Sequence, residues 1–334
     1  MMYPAPESRS SGPARNAGDG QKGTAMRTLV PVYYPSFRCI ASACRHTCCA
    51  GWEIGVDEFS RERYLEYSGP LRGELKEWMR DDGEGGWVFR LREDGRCPFL
   101  REDGLCRIIL EMGEGALCDI CADHPRWRSF FSDREEMGLG LTCEEAARVV
   151  LNEKRKAVMI TLSDDGEEEP LSGDEEAFFA FRDRALGILW DREIPLARRL
   201  EKLEEEGLAL RTGEVSRWRE RLLSLERLDE NWAAALEKTE SPGENAGEAG
   251  EKDLPLEQAA VYFVMRHLSA ALEDGLVRER CALAVLLTRL LRALARDGDI
   301  AEWARMLSSE IEYSDENVPA ILEWIRADEE AGAH

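Results

Sequence analysis

Ten cysteines are the residues of this chain best suited to chemistry, and nine of them lie between residues 39 and 143. The densest group is Cys39-x4-Cys44-x3-Cys48-Cys49. Thiolates this close repel one another unless a cation holds them or they stay protonated. Soft thiolates select zinc, Cu(I) or iron–sulfur clusters over magnesium or calcium. The spacing therefore predicts a metal site.

A disulfide between the adjacent Cys48 and Cys49 is disfavoured by geometry. Consecutive Cα atoms are ~3.8 Å apart, whereas an unstrained disulfide needs roughly 4.4–6.8 Å. The first 25 residues contain no apolar segment of the signal-peptide type, so we expect the chain to stay in the cytoplasm. Structural disulfides are rare in that reducing compartment.

Further metal ligands are available later in the chain, at Cys97, Cys106, Cys121 and Cys143. Cys118 forms a Cys-x2-Cys pair with Cys121, a chelating spacing that is a modest signal when it stands alone. Cys281 lies in an apolar helical segment, where a cysteine is usually a small buried hydrophobe. His46 and His124 are possible additional ligands, and His267 is expected in the core.

Two other cofactor motifs are poorly supported. Radical enzymes that use S-adenosylmethionine typically carry Cys-x3-Cys-x2-Cys, but the third position after Cys44 and Cys48 is Gly51. A glycine-rich turn between a strand and a helix, as in Rossmann dinucleotide sites, is also not found. The cysteines therefore remain the main chemical signal.

The composition and charge of the chain limit the classes of partner that it is expected to bind. The chain has 334 residues, 43% of them hydrophobic, and a formal net charge of −23. This charge argues against nucleic acid as the main partner and against an anionic membrane surface. Even a long apolar run such as residues 281–287 is far shorter than the ~18 residues of a membrane span.

The elements that must position the cysteines are short. Asp57 is a plausible N-cap for a helix that continues to residue 67. Further along, the sequence predicts helices at 70–80, 105–112 and 114–121, a strand at 87–91, and an amphipathic helix at 143–153.

Four segments follow from composition and periodicity. Residues 1–25 contain ten Gly, Pro or Ser residues, which predicts a disordered extension. Residues 26–155 form a cysteine-rich metal-binding region, 156–173 an acidic loop, and 174–330 a helical domain with a flexible linker at 239–253. Predicted helices of that domain are 174–191, 196–206, 213–225, 229–238, 256–274, 278–296, 299–312 and 318–328.

The predicted fold class is mainly α. It combines a small irregular metal-bound cysteine region, with a possible short hairpin, and an all-helical C-terminal half.

Several cysteine segments together resemble a known family. Residues 32–39 (VYYPSFRC), Cys44 and residues 47–57 (TCCAGWEIGVD) are similar to the opening of the flagellin lysine N-methylase family. The similarity continues in order at 97–100 (CPFL), 104–108 (GLCRI), 121–126 (CADHPR) and 141–148 (LTCEEAAR), and more loosely at 262–268 and 313–317. The cysteine region also resembles a broader group of zinc- or iron-chelating domains.

The resemblance implies transfer of a methyl group from S-adenosylmethionine to lysine side chains of flagellin or a similar protein. It also implies an iron–sulfur cluster of the [4Fe–4S] type. Cys118 is extra to the family pattern, and His46 stands where the family tends to have an acidic residue. The family cysteines match Cys39, Cys44, Cys48, Cys49, Cys97, Cys106, Cys121 and Cys143.

Such a reaction needs a deprotonated lysine amine, whose reference pKa is ~10.4, aligned for direct displacement. Radical chemistry is not required. Asp57 and Glu53 are candidate bases, and Trp52 is a candidate cation–π partner. Each also has a structural interpretation: Asp57 as a helix cap, Glu53 as a solvated residue and Trp52 as a core residue. The sequence assigns neither a catalytic residue nor the cofactor site.

A non-enzymatic alternative fits the same cysteines. In it, zinc thiolates hold short elements together and the helices dock a protein partner. A metal carrier with exposed thiolates is a third hypothesis.

Overall fold

The computed structural model describes residues 26–164, 169–237, 253–296 and 298–332. These residues form two compact units, one of residues 38–126 and one of residues 26–37 and 127–332. The predicted boundary at residue 155 lies within the second unit. The predicted extension 1–25, residues 165–168 of the predicted acidic loop and residues 239–252 of the predicted linker lie outside the described residues.

The strands form two small sheets. They are β1 (Thr28–Pro31), β2 (Ile54–Gly55), β3 (Met79–Asp81), β4 (Trp87–Phe89), β5 (Arg126–Phe130), β6 (Glu135–Leu139) and β7 (Met159–Ser163). One sheet has the order β5-β6-β1-β7 and the other β2-β4-β3. Strand β1 is parallel to β6 and antiparallel to β7.

Helices make up most of the remaining structure. Those of the amino-terminal part are α1 (Glu58–Glu66), α2 (Arg72–Trp78), α3 (Arg107–Met112), α4 (Asp119–Asp123) and α5 (Glu144–Leu151). Those of the carboxy-terminal part are α6 (Gly173–Leu189), α7 (Leu196–Glu205), α8 (Val215–Ser224), α9 (Glu230–Glu237), α10 (Leu254–His267), α11 (Ala271–Asp274), α12 (Val277–Leu294), α13 (Ile300–Glu312) and α14 (Asn317–Glu330).

The mainly α prediction is confirmed. Each predicted helix of the C-terminal half is present within a few residues of its predicted bounds. The predicted helix 256–274 is interrupted, because α10 ends at His267 and a 3-10 turn, Leu268–Ala270, precedes α11. Gly275, with φ of 75°, ends α11 in the left-handed conformation that glycine adopts without strain. No helix among the described residues is both long and apolar enough to cross a membrane.

The sequence predicted too few strands. Only one strand, at 87–91, was predicted, and the segment 156–173 was interpreted as a loop although it contains β7. The reason is that β1, β6 and β7 are short and pair across more than a hundred residues. Strand β6 also begins with Glu135 and Glu136, which are buried, so its sequence lacks the apolar alternation of a half-buried strand.

The first unit packs around its three-stranded sheet. Its core includes the fully buried Tyr64, Phe89 and Phe99, with the Phe89 and Phe99 rings edge to face at 4.9 Å. Two cysteines, Cys97 and Cys118, belong to this core, at 6% and 1% exposure. Two thiols are therefore packed among the aliphatic and aromatic side chains of this interior.

The second unit packs around α10 and α12, whose residues are buried on nearly every side. Glu175 joins the start of α6 to the loop between β5 and β6. Its carboxylate accepts hydrogen bonds from the Ser132 N–H and hydroxyl, each at 2.7 Å, and from the Ser172 N–H at 2.8 Å. The Ser172 hydroxyl accepts from the Glu175 N–H, which completes a capping box.

Glu175 should contribute stability that depends on pH. Burial opposes its ionisation, but these hydrogen bonds outweigh burial and lower its pKa to about 2. A lowered pKa means that the contribution is complete above the unfolded value of ~4.3 and is lost as pH falls towards 2. Glu175→Gln should therefore lower the free energy of unfolding at pH 7 by about 1–3 kcal/mol, measured by urea denaturation.

The difference between Glu175→Gln and the unchanged protein should shrink steadily as the pH falls below 4. The exposed neighbour Glu176 provides the control, Glu176→Gln. Equal effects of the two substitutions at pH 7 would contradict the assignment.

Candidate metal centre

Backbone pairing brings two distant cysteines together in the first unit. Ala50 and Arg96 form an isolated antiparallel bridge, and the Cys97 N–H donates to the Cys49 carbonyl at 2.8 Å. Residues 49 and 97 are therefore direct neighbours beside this bridge, although they are 48 positions apart in sequence. The backbones of the two cysteine motifs therefore meet at this point.

The Cys106 segment lies beside the first cysteine motif. Gly104 turns the chain at a φ of 78°, and a Cβ atom built there would lie 3.3 Å from the Ser42 Cα atom. Glycine is thus required both by the backbone conformation and by this close approach. Cys106 follows directly, pairs with Leu100 in an isolated bridge and caps α3.

The third pair of thiols lies on α4, which Asp57 holds in place. The Asp57 carboxylate accepts from the Ser60 N–H at the start of α1 and from the Asp119 N–H at the start of α4, both at 2.8 Å. Cys118 is the N-cap of α4 and Cys121 lies within it. One carboxylate therefore ties the helix of the Cys-x2-Cys pair to the remainder of the unit.

The thiols of this unit influence one another electrostatically. A hydrogen bond from Cys48 lowers the pKa of Cys49 to about 7, against the opposing effect of burial. The Cys121 thiol donates to Cys118, which lowers the pKa of Cys118 and raises that of Cys121.

Two thiols of the same group are kept protonated. Burial raises the pKa of Cys97 to about 12, and the neighbouring Cys49, Cys106 and Cys118 add to the rise. Burial also raises the pKa of Cys106. We call Cys49, Cys97, Cys106, Cys118 and Cys121 the inner thiols.

The remaining cysteines of the first motif lie towards the surface. Cys39 and Cys48 are exposed and Cys44 is half-buried. The Cys44 thiol donates to the His46 carbonyl at 3.1 Å, and the Ala41 N–H donates to the Cys39 sulfur at 3.4 Å. These contacts fold the motif into a tight loop at the edge of the unit.

Two cysteines lie in the second unit. Cys143 is half-buried and is the N-cap of α5. Cys281 is completely buried in α12, in line with its interpretation as a core residue. All ten cysteines are within the described part of the chain, and all are thiols.

The inner thiols have the donor chemistry that iron and zinc require, since they are soft, influence one another's pKa values and include one with a pKa near neutrality. Within the described residues, however, no three Cys, His, Asp or Glu side chains form a group that could hold a metal ion. A coordination shell would therefore require these side chains to reorient. The donor set fits a soft metal, and the metal-bound hairpin that was predicted is not shown.

The three histidines considered as ligands or core residues differ in their surroundings. His124 is half-buried, and burial with the nearby Arg126 lowers its pKa to about 4. The His46 carbonyl, as noted, contacts Cys44. His267 is buried in α10, with its Nε2 atom 2.8 Å from Glu312 Oε1, which agrees with the expected core position.

The candidate bases beside the cysteines have structural contacts. Asp57 is the N-cap of α1, as its alternative interpretation predicts. Glu53 is 60% exposed and lies 3.5 Å from Arg80. Trp52 donates from its Nε1 atom to the Cys48 carbonyl at 2.7 Å, and its ring centroid lies 6.3 Å from that of His124. Trp52 thus supports the loop that carries Cys48.

Sequence reasoning missed a buried polar group in the second unit. The Tyr262 hydroxyl donates to both oxygens of Glu312, at 3.0 and 3.1 Å, and accepts from the Leu141 N–H at 3.3 Å. His267 contacts the same carboxylate. The segment 262–268 had been noted only as a loose family match, and no periodicity could reveal that Tyr262 and His267 meet Glu312.

Comparison with curated proteins identifies relatives. The chain is 29% identical over 128 residues to proteins named Lysine-N-methylase from Salmonella typhimurium and Salmonella choleraesuis. It is 28% identical over 128 residues to the Flagellar biosynthetic protein FliU of Salmonella muenchen. The chain is related to the flagellin lysine N-methylases. The resemblance predicted from the cysteine motifs is thereby confirmed.

The relationship is partial. Each match covers 37% of this chain, and it spans 32% of the two Lysine-N-methylases and 76% of the FliU protein. No protein-family model matches the chain. No solved structure matches it either.

Asp57 should stabilise the folded protein, because its carboxylate links the starts of α1 and α4. Burial raises its pKa, but the Asp119 and Ser60 hydrogen bonds outweigh that effect and hold the pKa below its usual value. Asp57→Ala should lower the free energy of unfolding at pH 7 by about 1–2 kcal/mol. The loss should diminish as pH falls below the unfolded value of ~3.9.

Glu53→Ala is the matched control, because it removes a neighbouring exposed carboxylate and should change stability by less than about 0.5 kcal/mol. Urea denaturation of both variants measures the difference. A stability loss in Glu53→Ala as large as that in Asp57→Ala would contradict the capping role.

Proposed function

We propose that this chain is an S-adenosylmethionine-dependent protein-lysine N-methyltransferase that acts on flagellin or a similar protein. The observation that supports the proposal most strongly is the relationship to proteins named Lysine-N-methylase. The name of the FliU relative points in addition to a flagellar substrate. The group of inner thiols supports a resident metal centre in the same protein.

The reaction would be a direct displacement. The lysine amine first loses a proton, since only its lone pair is nucleophilic. The new N–C bond then forms as the S–C bond of the sulfonium breaks, and the bonding electron pair stays on the sulfur of S-adenosylhomocysteine. The protein contributes alignment of the amine, the methyl group and the leaving sulfur.

The metal centre in this proposal is a [4Fe–4S] cluster. Its ligands would come from the eight cysteines that match the family, of which Cys49, Cys97, Cys106 and Cys121 are inner thiols. Cys118, which the family match leaves out, is also one of the inner thiols and hydrogen-bonds to Cys121. A cluster bound to these cysteines would link the short helices and strands of the first unit to one another.

One observation favours a second candidate, a zinc-stabilised protein-binding module without catalytic activity. Cys97 and Cys118 are core residues of a small unit built from short helices and strands. Structural zinc sites stabilise such units directly.

Purification without oxygen distinguishes the two candidates. The proposed enzyme should be brown, with iron and acid-labile sulfide in equal amounts and about four of each per chain. It should also transfer labelled methyl groups from S-adenosylmethionine to lysines of the host's flagellin, detected by mass spectrometry. A colourless protein with one zinc per chain and no methyl transfer would support the binding module instead.

Single cysteine variants test the contribution of the inner thiols. Cys121→Ser should lower the iron content by at least half, because serine is a harder and weaker ligand than a thiolate. Cys281→Ser, which alters a buried thiol of α12, should leave the iron content unchanged. Equal iron contents in the two variants, with both folded by circular dichroism, would contradict the assignment.

A further inference from the structure

The chain just before Cys143 is held at two points by helices of the second unit. The Leu141 N–H donates to the hydroxyl of Tyr262 in α10 at 3.3 Å. The hydroxyls of Thr142 and of Ser309 in α13 lie 2.7 Å apart and share a hydrogen bond. The partners are 121 and 167 positions away in sequence. Both residues that precede the cysteine are therefore fixed by elements outside their own segment.

Backbone bonds fix Cys143 itself. Its N–H donates to the Gly140 carbonyl at 3.4 Å, and its carbonyl accepts from the Ala147 N–H at 2.8 Å in the first turn of α5. The residue has extended backbone angles, with φ of −87° and ψ of 125°, as N-cap residues do. Since the backbone sets the direction of a side chain, the direction of this thiol depends on how residues 140–142 enter the helix.

A buried carboxylate fixes the orientation of the Tyr262 hydroxyl. Glu312 accepts the single proton of this hydroxyl, with its oxygens at 3.0 and 3.1 Å, so the lone pairs of the hydroxyl oxygen remain for the Leu141 N–H. The same carboxylate lies against His267, whose Nε2 atom is 2.8 Å from Oε1. Burial raises the pKa of Glu312, but contacts led by His267 outweigh burial and lower it below its ordinary value. An ionised carboxylate only accepts hydrogen bonds, so the hydroxyl cannot reverse.

Water is not a ready substitute in this network. Tyr262 is 1% exposed, the Glu312 side chain is 1% exposed and Leu141 is completely buried. Leaving a buried N–H without an acceptor is costly, so loss of the hydroxyl should move the Leu141 backbone towards another acceptor. Such a movement would be transmitted to Cys143, two residues later in the chain.

Added stability is a weak explanation for a network of this kind. Replacement of buried polar groups by apolar residues of similar shape is often neutral or stabilising. A polar network in a core instead specifies one geometry. The geometry that this network specifies is the path of residues 141–143 into α5.

We propose that Tyr262, oriented by Glu312, is a positioning residue that holds the Cys143 thiol in the direction required of a metal ligand. It acts through the backbone of residues 141–143 and does not contact the metal. The inference rests on the proposed function, because Cys143 is one of the eight cysteines from which the proposed cluster would draw its ligands.

Thiol reactivity of the full chain, after removal of metal by a chelator, tests the positioning directly. Tyr262→Phe removes the hydroxyl and keeps the ring, and it should raise the rate at which iodoacetamide alkylates Cys143 by about threefold or more. Mass spectrometry of the peptides follows each cysteine separately. The rate at Cys281 should not change, although this residue lies in α12, which packs against α10.

Tyr313→Phe is the matched control, since it removes the hydroxyl of an exposed tyrosine next to Glu312. It should leave both alkylation rates unchanged. Ser309→Ala removes the second contact to the segment and should raise the Cys143 rate in the same direction, which tests the inference even where Tyr262→Phe fails to fold. Circular dichroism and thermal unfolding establish whether each variant folds.

The metal centre gives a second measurement, on protein purified without oxygen. Tyr262→Phe should alter the electron paramagnetic resonance signal of the reduced cluster and lower the iron content towards that of Cys143→Ser. Tyr313→Phe should retain both the signal and the iron content of the unchanged protein.

Cys143 rates that neither Tyr262→Phe nor Ser309→Ala changes would overturn the inference, and methyl transfer by the same protein would leave the proposed activity intact. Equal rises at Cys143 and Cys281 would also overturn it, because they indicate general loosening of the second unit. An iron content and a cluster signal that Tyr262→Phe and Cys143→Ser leave unchanged would do the same. Protein without iron or methyl transfer, but with the expected alkylation rates, would refute the proposed function and preserve the positioning of the thiol.

Discussion

The first unit depends on one electrostatic constraint, which is that several thiols share a small interior. Cys97 and Cys118 are buried, and the inner thiols raise or lower one another's pKa values through repulsion and hydrogen bonding. They cannot all ionise at neutral pH unless a cation compensates the charge. In the proposed function, a bound soft metal would compensate this charge and would convert the same sulfurs from mutually repelling groups into a common anchor.

The surrounding elements place the thiols by backbone contacts instead of by a large apolar core. The bridge at Ala50 and Arg96 positions Cys49 and Cys97, the Gly104 turn brings Cys106 near Ser42, and Asp57 holds α4. The second unit follows another principle. Its helices bury a large apolar core, and buried charges inside it form ion pairs such as Arg182 with Glu136.

The sequence predicted well those parts of the structure that depend on local signals. The carboxyl of Asp57 three residues before Ser60 indicated a helix start, and long apolar periodicity indicated the C-terminal helices, including the burial of Cys281. Strands β1 and β7 were missed because a four- or five-residue strand is defined by its distant partner. Strand β6 was missed because its two glutamates are buried, and their partners, which include Arg128, Arg182 and Thr28, meet them only in the folded chain.

The candidate site shows the same limit. Cysteine spacing was enough to predict a metal site and the family relationship, because chelating motifs are local. It did not reveal that Cys118 lies among the inner thiols or that Asp57 links two helices. Each of these depends on residues that meet only after folding.

X-ray absorption spectroscopy at the iron edge of protein purified without oxygen tests the central claim most directly, since it reports which atoms surround the metal. The account predicts a first shell made of sulfur, with iron neighbours beyond it, and a loss of that signal when inner thiols are replaced by serine. A first shell of oxygen and nitrogen only, or metal that washes away without altering the fold, would contradict it.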